Sequence, residues 1–436
     1  MLIARRRFLV QASLLFASGS VTNPCPADIQ KTNTTTQTDI WSSVREQFNL
    51  NPDYIHLGAL FLCSHPKPVR DAIEYFRRAL DEDPVINFRR EIGRRVNQVL
   101  ETAAEYLGAA PEEVALTDST TMGLGLIYNG LKIRAGQEIL TTEHDYYATH
   151  ESLRLAAAKT GATLRKIALY KQLEKVSVDE IVNSVAKAVT PATCVVALTW
   201  VHSSTGLKLP LHEIANELKR INSSRNEPDQ ILLCVDGIHG FGVEEIDVNQ
   251  LGCDFLAAGC HKWLFGPRGT GIIWGSQRGW AAVNPTIPSF IDDSSREAWF
   301  RGGGPIGPTN GRRMSPGGFK PFEHQWALAE AFKFHLQLGK PQVTARTHQL
   351  CKQLKEGLAK IPQVKLYTPG SEALSAGIVC FDIVGMSAWT VVERLYDKKI
   401  IATVTPYATS YVRLCPSIYN LPSEVDKALE EIGKLI

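Results

Sequence analysis

The sequence predicts an α/β protein with a large domain on a mainly parallel sheet and a smaller C-terminal α/β domain. Three observations predict it. Strand-like and helix-like segments alternate from Val114 to Trp274, the pattern of parallel strands joined by helical crossovers. Within that span the runs TCVVALTW, ILLCV and DFLAAG have the length and composition of strands buried on both faces. From Val364 to Ile436 short strands and helices alternate again, through VKLYT, GIVCFDIV, Ala388–Lys398, IIATV, YVRLCPS and a final helix.

Composition sets the limits. With 436 residues the chain has room for two or three domains and a sizeable core. Its 44% hydrophobic and 21% charged residues are those of a globular protein. A net charge of +2, without a basic tract interleaved with aromatics, argues against a nucleic-acid surface. The nine cysteines are scattered, without CxxC or Cys/His metal spacing. Several lie in apolar runs and read as buried thiols, and the odd count argues against a complete disulfide framework.

The first segment, MLIARRRFLVQASLLFASGS, places a basic cluster before an apolar stretch and small residues, which is the order of a signal peptide. Phe8–Ala17 is too short to be a stable membrane span. Arg5-Arg6-Arg7-Phe8-Leu9 resembles the twin-arginine pattern RRxFL. The expectation is export to the periplasm through the twin-arginine translocation machinery, which carries folded proteins. The domains expected are a signal peptide at 1–28, a polar linker at 29–40, the N-terminal segment with the large domain at 41–325, and the small domain at 326–436.

After the linker, Trp41–Leu50 predicts a short helix and Asn51–Pro66 an extended entry segment; Lys67–Leu80 and Phe88–Leu107 carry apolar residues at helical spacing. Val114–Gly130 reads as strand, polar turn and helix, with Ser119, Thr120 and Thr121 at the helix start. Free N–H groups and hydroxyls there suit a phosphate, and Gly123 and Gly125 permit close backbone approach. Glu138–Thr142 is the next strand, followed by Glu143-His144-Asp145-Tyr146-Tyr147. A helix at Glu151–Lys159, a strand at Thr163–Ala168 and a helix at Val176–Val189 lead to the strand Thr193–Trp200, capped by VHSSTG. A helix begins after Pro210 and runs to Asn222. Ala281–Gly318 has no clear periodicity and is too long for a casual loop. Phe322–Leu338 and Arg346–Ile361 read as helices.

The chemistry concentrates in Ile231–Gly269. ILLCV ends on Asp236, and the next strand runs into His261-Lys262. An acid at one strand end and a lysine at the next are what a pyridoxal phosphate site needs. The acid keeps the pyridine nitrogen protonated, and the lysine holds the cofactor as a Schiff base and shuttles protons. Strand ends are also where such sheets bind ligands.

Over roughly residues 50–430 the chain resembles the class V aminotransferase family of fold-type I pyridoxal phosphate enzymes. The nearest branch is isopenicillin N epimerase-like, and the export signal is similar to that of periplasmic enzymes that tailor the pyoverdine siderophore. The resemblance implies a seven-stranded-type sheet, a homodimer and a set of roles. Lys262 and Asp236 hold the cofactor as above. His144 stacks on its ring, with Tyr146 or Tyr147 as alternatives. Thr120, Thr121 and His261 bind its phosphate, and Ser203 and His239 lie near its phenolic oxygen. Gly317 and Gly318 reach the partner's phosphate, Arg413 binds the substrate carboxylate, and His56 lines the substrate cavity. Two departures stand out. Gly259-Cys260-His261-Lys262 lacks the family's serine, which throws weight onto Thr120 and Thr121. The loop Ile401–Tyr411 lacks the nucleophilic cysteine of desulfurases, which argues against persulfide chemistry.

The function implied is chemistry at the α-carbon of a small-molecule or peptide substrate with a free α-amine and carboxylate, such as a siderophore's glutamyl side chain. Epimerisation, transamination, elimination and oxidation all remain open, as does a free amino acid as substrate. A non-catalytic binding protein on the same scaffold is disfavoured because Lys262, Asp236, His239 and Arg413 are all present.

Overall fold

Among the described residues there are thirteen strands: β1 (Ile55–His56), β2 (Val114–Thr117), β3 (Glu138–Thr142), β4 (Thr163–Ile167), β5 (Thr193–Thr199), β6 (Leu232–Asp236), β7 (Phe255–Gly259), β8 (Gly271–Gly275), β9 (Val364–Leu366), β10 (Val379–Ile383), β11 (Ile400–Ile401), β12 (Thr403–Val404) and β13 (Val412–Leu414). They belong to a computed structural model that describes residues 37–436. The predicted signal peptide and most of the linker, with Arg5, Arg6 and Cys25, lie outside the described residues.

The large sheet has seven strands in the order β2-β8-β7-β6-β5-β3-β4. All pairs are parallel except those made by β8, which runs antiparallel to both neighbours. Every residue of β5, β6, β7 and β8 is buried, as continuous apolar runs require. The edge strand β4, TLRKI, is half-exposed and carries Arg165 and Lys166, which blunts further strand pairing. Parallel register sets Thr199 beside Asp236, and Asp236 beside Ala257. The carboxyl ends of the parallel strands therefore open on one side of the sheet.

The smaller sheet is antiparallel, in the order β12-β13-β10-β9. Leu350 and Leu354 of the helix Lys340–Leu358, Val391 and Leu395 of Ala388–Asp397, and Val425 and Ile432 of Pro422–Gly433 share a core with Phe381 and Leu414. Both sheets belong to one compact unit, Trp41–Ile436. They meet at the turn after β5. Gly206 has φ +75, and a Cβ there would lie 2.4 Å from the Ile378 carbonyl oxygen, so only glycine fits. Thr368 Oγ1 donates to the Thr205 carbonyl at 2.7 Å across the same junction.

Some local expectations shift. The first helix among the described residues runs Gln37–Glu46, and the next two extend to Lys67–Glu82 and Pro84–Leu107. Gly123 does pack closely, since a Cβ would meet Ala257 and Ile273 at 3.2 Å, but Gly125 has nothing within 4 Å. Gly125 faces open space among the described residues. The aperiodic stretch 281–318 contains the helix Asp293–Phe300, which buries only Ala298. A helix with one buried position leaves no apolar stripe in its sequence. Among the described residues no helix is long and apolar enough to cross a membrane, and no His, Cys, Asp or Glu cluster could hold a metal ion.

Candidate active site

Asp236 ends β6 in a buried position. Its carboxylate accepts the Ile238 N–H at 3.2 Å and the Thr149 hydroxyl at 3.3 Å. Burial pushes the carboxyl up to about 6, against the pull of the Ile238 amide and the Lys262 charge. The turn that follows is shaped by close packing, because a Cβ on Gly240 would lie 2.1 Å from the Trp200 ring. His239, held in this turn, is buried, and its Nδ1 has no partner. Burial, with the Lys262 and Arg413 charges adding, keeps its imidazole neutral, well below its ordinary pKa.

Lys262 follows β7 and is partly buried. Its amine makes no hydrogen bond or ion pair among the described residues, although the Asp236 charge acts on it. Burial pulls the amine down to about 8, Asp236 opposes, and Arg413 adds to the fall. An amine with that value is partly neutral near pH 7, as a proton acceptor should be. His261 is pulled down to about 4 by burial and by Lys262 and Arg268. Cys260 is fully buried in the main core and is structural.

The residues expected to bind a phosphate lie at the start of the helix Thr120–Gly130, where Ser119 caps the helix by accepting the Met122 N–H at 3.1 Å. Thr120 Oγ1 accepts the Gly259 N–H at 2.8 Å, joining the helix start to the end of β7, just before Lys262. Its own proton remains available to an anion, and Thr121 is exposed beside it. Helix N-terminal N–H groups with two hydroxyls are a donor set suited to an anion.

Arg413, on β13, is buried and held at three points. Nε donates to Thr403 Oγ1 at 3.1 Å, Nη1 to the Ser203 carbonyl at 3.1 Å, and Nη2 to the Val404 carbonyl at 2.9 Å. Each terminal nitrogen keeps one further N–H, a fork suited to a carboxylate. Ser203 Oγ pairs with the Tyr407 hydroxyl at 2.8 Å.

His144 stacks on Tyr170, with ring centroids 4.5 Å apart and planes 10° apart. Burial holds its pKa below the ordinary value, against Asp145 and Glu143. His56 lies on β1, its Nε2 3.1 Å from the Asn51 carbonyl oxygen. Gly317 and Gly318 line a different cavity, of about 940 Å³, with Phe88, Phe290, Trp299 and Phe319. The Gly317 N–H is already donated to the Pro288 carbonyl at 2.7 Å.

Several neighbours escaped sequence reasoning. Asp145 is buried and accepts from Thr141, Thr142 and the Thr199 N–H. His202 is fully buried, both its ring nitrogens are unpartnered, and Nε2 lies 3.9 Å from Asp145 Oδ1. Tyr170 and Tyr407 complete this wall. A tyrosine in an exposed-looking loop such as PYATSY carries no sequence signal. The E-H-D and V-H-S-S-T-G turns did mark where Asp145 and His202 lie.

The residues fit a pyridoxal phosphate. The unbonded Lys262 amine, the buried Asp236 carboxylate, the orphaned His239 Nδ1 and the Thr120 hydroxyl are groups that such a ligand would satisfy. Fold and site thus define a lysine-dependent enzyme of the fold-type I class. The aminotransferase class V family matches residues 64–405, and the chain belongs to that family of pyridoxal phosphate enzymes. It is 26% identical over 405 residues to an isopenicillin N epimerase of Streptomyces clavuligerus, covering 91% of this chain and 98% of that protein. A cysteine desulfurase of Klebsiella pneumoniae is 26% identical over 375 residues, covering 79% of this chain and 84% of that protein. The solved structure of C-DES with glycine covalently linked to its PLP cofactor superposes with a TM-score of 0.80 at 22% identity, covering 89% of this chain and 98% of that one. The apo cysteine desulfurase of Thermococcus onnurineus gives 0.76 at 21% identity, with 93% and 99% covered.

Proposed function

We propose that this class V enzyme works after twin-arginine export to the periplasm, at the α-carbon of a siderophore's glutamyl side chain or a related peptide precursor with free α-amine and α-carboxylate. One observation carries the α-carbon reading: Arg413 keeps two free N–H groups while its charge acts on the Lys262 amine. Export is supported by Arg5-Arg6 in RRRFL. The cofactor, when bound, supplies an electron sink for negative charge at the substrate's α-carbon. Arg413 binds and orients the carboxylate, Lys262 Nζ takes the α-proton and returns it, and Asp236 offers its carboxylate to a ring nitrogen at the end of β6.

A second reading, epimerisation of a free amino-acid-like substrate, is favoured by the length of the match to isopenicillin N epimerases. Desulfurase chemistry is disfavoured. All eight described cysteines are buried, and burial raises every one of their thiols above the ordinary range, whereas the nucleophile must be an accessible thiolate.

Metabolite comparison tests the substrate: siderophore of unchanged mass in a strain lacking this chain overturns the siderophore reading. Replacing Arg5 and Arg6 by lysine is expected to hold the protein in the cytoplasmic fraction, and undiminished periplasmic protein would overturn that route. Arg413→Lys is expected to raise KM about ten- to a hundredfold with a smaller change in kcat, because a point charge replaces a fork; steady-state kinetics reads this split. The active form is a homodimer on this reading, supported by the exposed Trp299, Phe300, Ile306 and Phe319 around the 940 Å³ cavity. A monomeric mass in sedimentation would overturn it.

A further inference from the structure

The loop between β12 and β13 closes on itself. The Thr405 N–H donates to the Tyr411 carbonyl at 2.9 Å, the Tyr411 N–H to Thr405 Oγ1 at 2.8 Å, and Ser410 Oγ to the Tyr407 carbonyl at 3.2 Å. Pro406, Ala408 and Thr409 are exposed, and Tyr407 between them is half-buried. Its ring meets Tyr146 edge-on, with centroids 5.9 Å apart. Its hydroxyl lies 2.8 Å from Ser203 Oγ, while the carbonyl of that same serine holds Arg413. Ser203 therefore joins this loop, through its side chain, to the carboxylate fork, through its backbone.

We infer that Tyr407 is a positioning residue, donating its phenolic proton to Ser203 so that the serine's own proton is directed to the cofactor. The hydroxyl pair has two protons and one short contact, so one oxygen must donate across it and the other keeps a free O–H. A phenol is the stronger acid of the two and takes the donor role. Burial raises the Tyr407 pKa, as do Asp145 and Asp236, while Ser203 and Arg413 oppose, so the phenol stays protonated throughout the working range. With Tyr407 donating, Ser203 is left with one proton and a fixed direction for it. Without the phenolic hydroxyl, Ser203 can turn and satisfy itself elsewhere.

The inference rests on the cofactor reading and adds to it. A proton donated to the cofactor's phenolic oxygen stabilises negative charge there and weakens proton retention at the Lys262 nitrogen. The pH midpoint of the bound cofactor's visible absorbance therefore reports on Ser203. In cofactor-loaded protein, Tyr407→Phe is expected to raise that midpoint by about 0.5–1 pH unit, the range of one neutral hydrogen bond. Ser203→Ala is expected to raise it at least as much, and Tyr407→Phe on that background to add nothing. Ser203→Thr keeps the hydroxyl and is expected to restore both the midpoint and its sensitivity to Tyr407→Phe. An unchanged midpoint in Tyr407→Phe, or a shift that adds in full to that of Ser203→Ala, overturns the inference. Wild-type protein without a visible band would overturn the cofactor reading instead, so the two failures are distinct.

Discussion

Lys262→Ala protein is expected to lose the visible band at about 400–430 nm of a cofactor bound to lysine, and to turn over about a hundred- to ten-thousandfold more slowly. The size follows from the position of this amine. It stands after β7, free of any protein hydrogen bond, with its pKa drawn down to about 8. No neighbour can replace it. His239 and His261 are neutral and weakly basic, and Cys260 lies in the core. Removing Lys262 deletes both the anchor and the proton carrier. Absorbance spectra and single-turnover rates check the two losses separately, and a retained band with wild-type rates would overturn the assignment.

Asp236→Asn separates stability from activity. In cofactor-free protein the carboxyl stands at about 6, above the roughly 3.9 of an unfolded aspartate. The folded state thus favours the protonated acid. The cost of burying the anion is absent below about pH 4, grows from there to about pH 6 and stays constant above. Two units correspond to at most about 3 kcal/mol. An asparagine carries no such charge and can still accept the Ile238 N–H. Cofactor-free Asp236→Asn is therefore expected to melt higher than wild type at pH 7, with the gap closing toward pH 4. The loaded enzyme is expected to lose about a hundredfold or more in kcat, since no anion remains for the ring nitrogen. Melting curves of cofactor-free protein from pH 4 to 8 check the first claim; a variant less stable than wild type at pH 7 would overturn it.

The fold was legible where burial is two-sided or the helix stripe is strong. TCVVALTW, ILLCV and DFLAAG read as strands because nothing polar interrupts them, and they became β5, β6 and β7. The strand–helix alternation pointed to a mainly parallel sheet and the family resemblance to seven strands; the order, with β8 antiparallel, came only from the structure. The helix Asp293–Phe300 was not legible because its apolar residues point outward. At the site, the ends of strands pointed to Asp236 and Lys262 as candidates, and the resemblance of a C-terminal motif pointed to Arg413. Tyr407 meets Ser203 across 204 residues of chain, and Asp145, besides its local bonds from Thr141 and Thr142, accepts the Thr199 N–H from 54 residues away, with His202 beside it. The first long-range pair to form, Thr199 with Asp145, needs β3 and β5 side by side, and the Ser203–Tyr407 pair needs the two sheets docked; no local pattern encodes either.

The eight buried thiols give the protein an unusual dependence on the order of events. Oxidation needs an accessible thiolate, and the folded chain presents none among its described cysteines. The unfolded chain presents them all, with on the order of a hundred possible pairings. Resistance to oxidants is thus a property of the native state and absent from the chain itself. Refolding from denaturant in air is expected to scatter the product among mispaired species, and reductant to restore one. A chain of this composition gives a uniform product in an oxidising compartment only when folding precedes arrival.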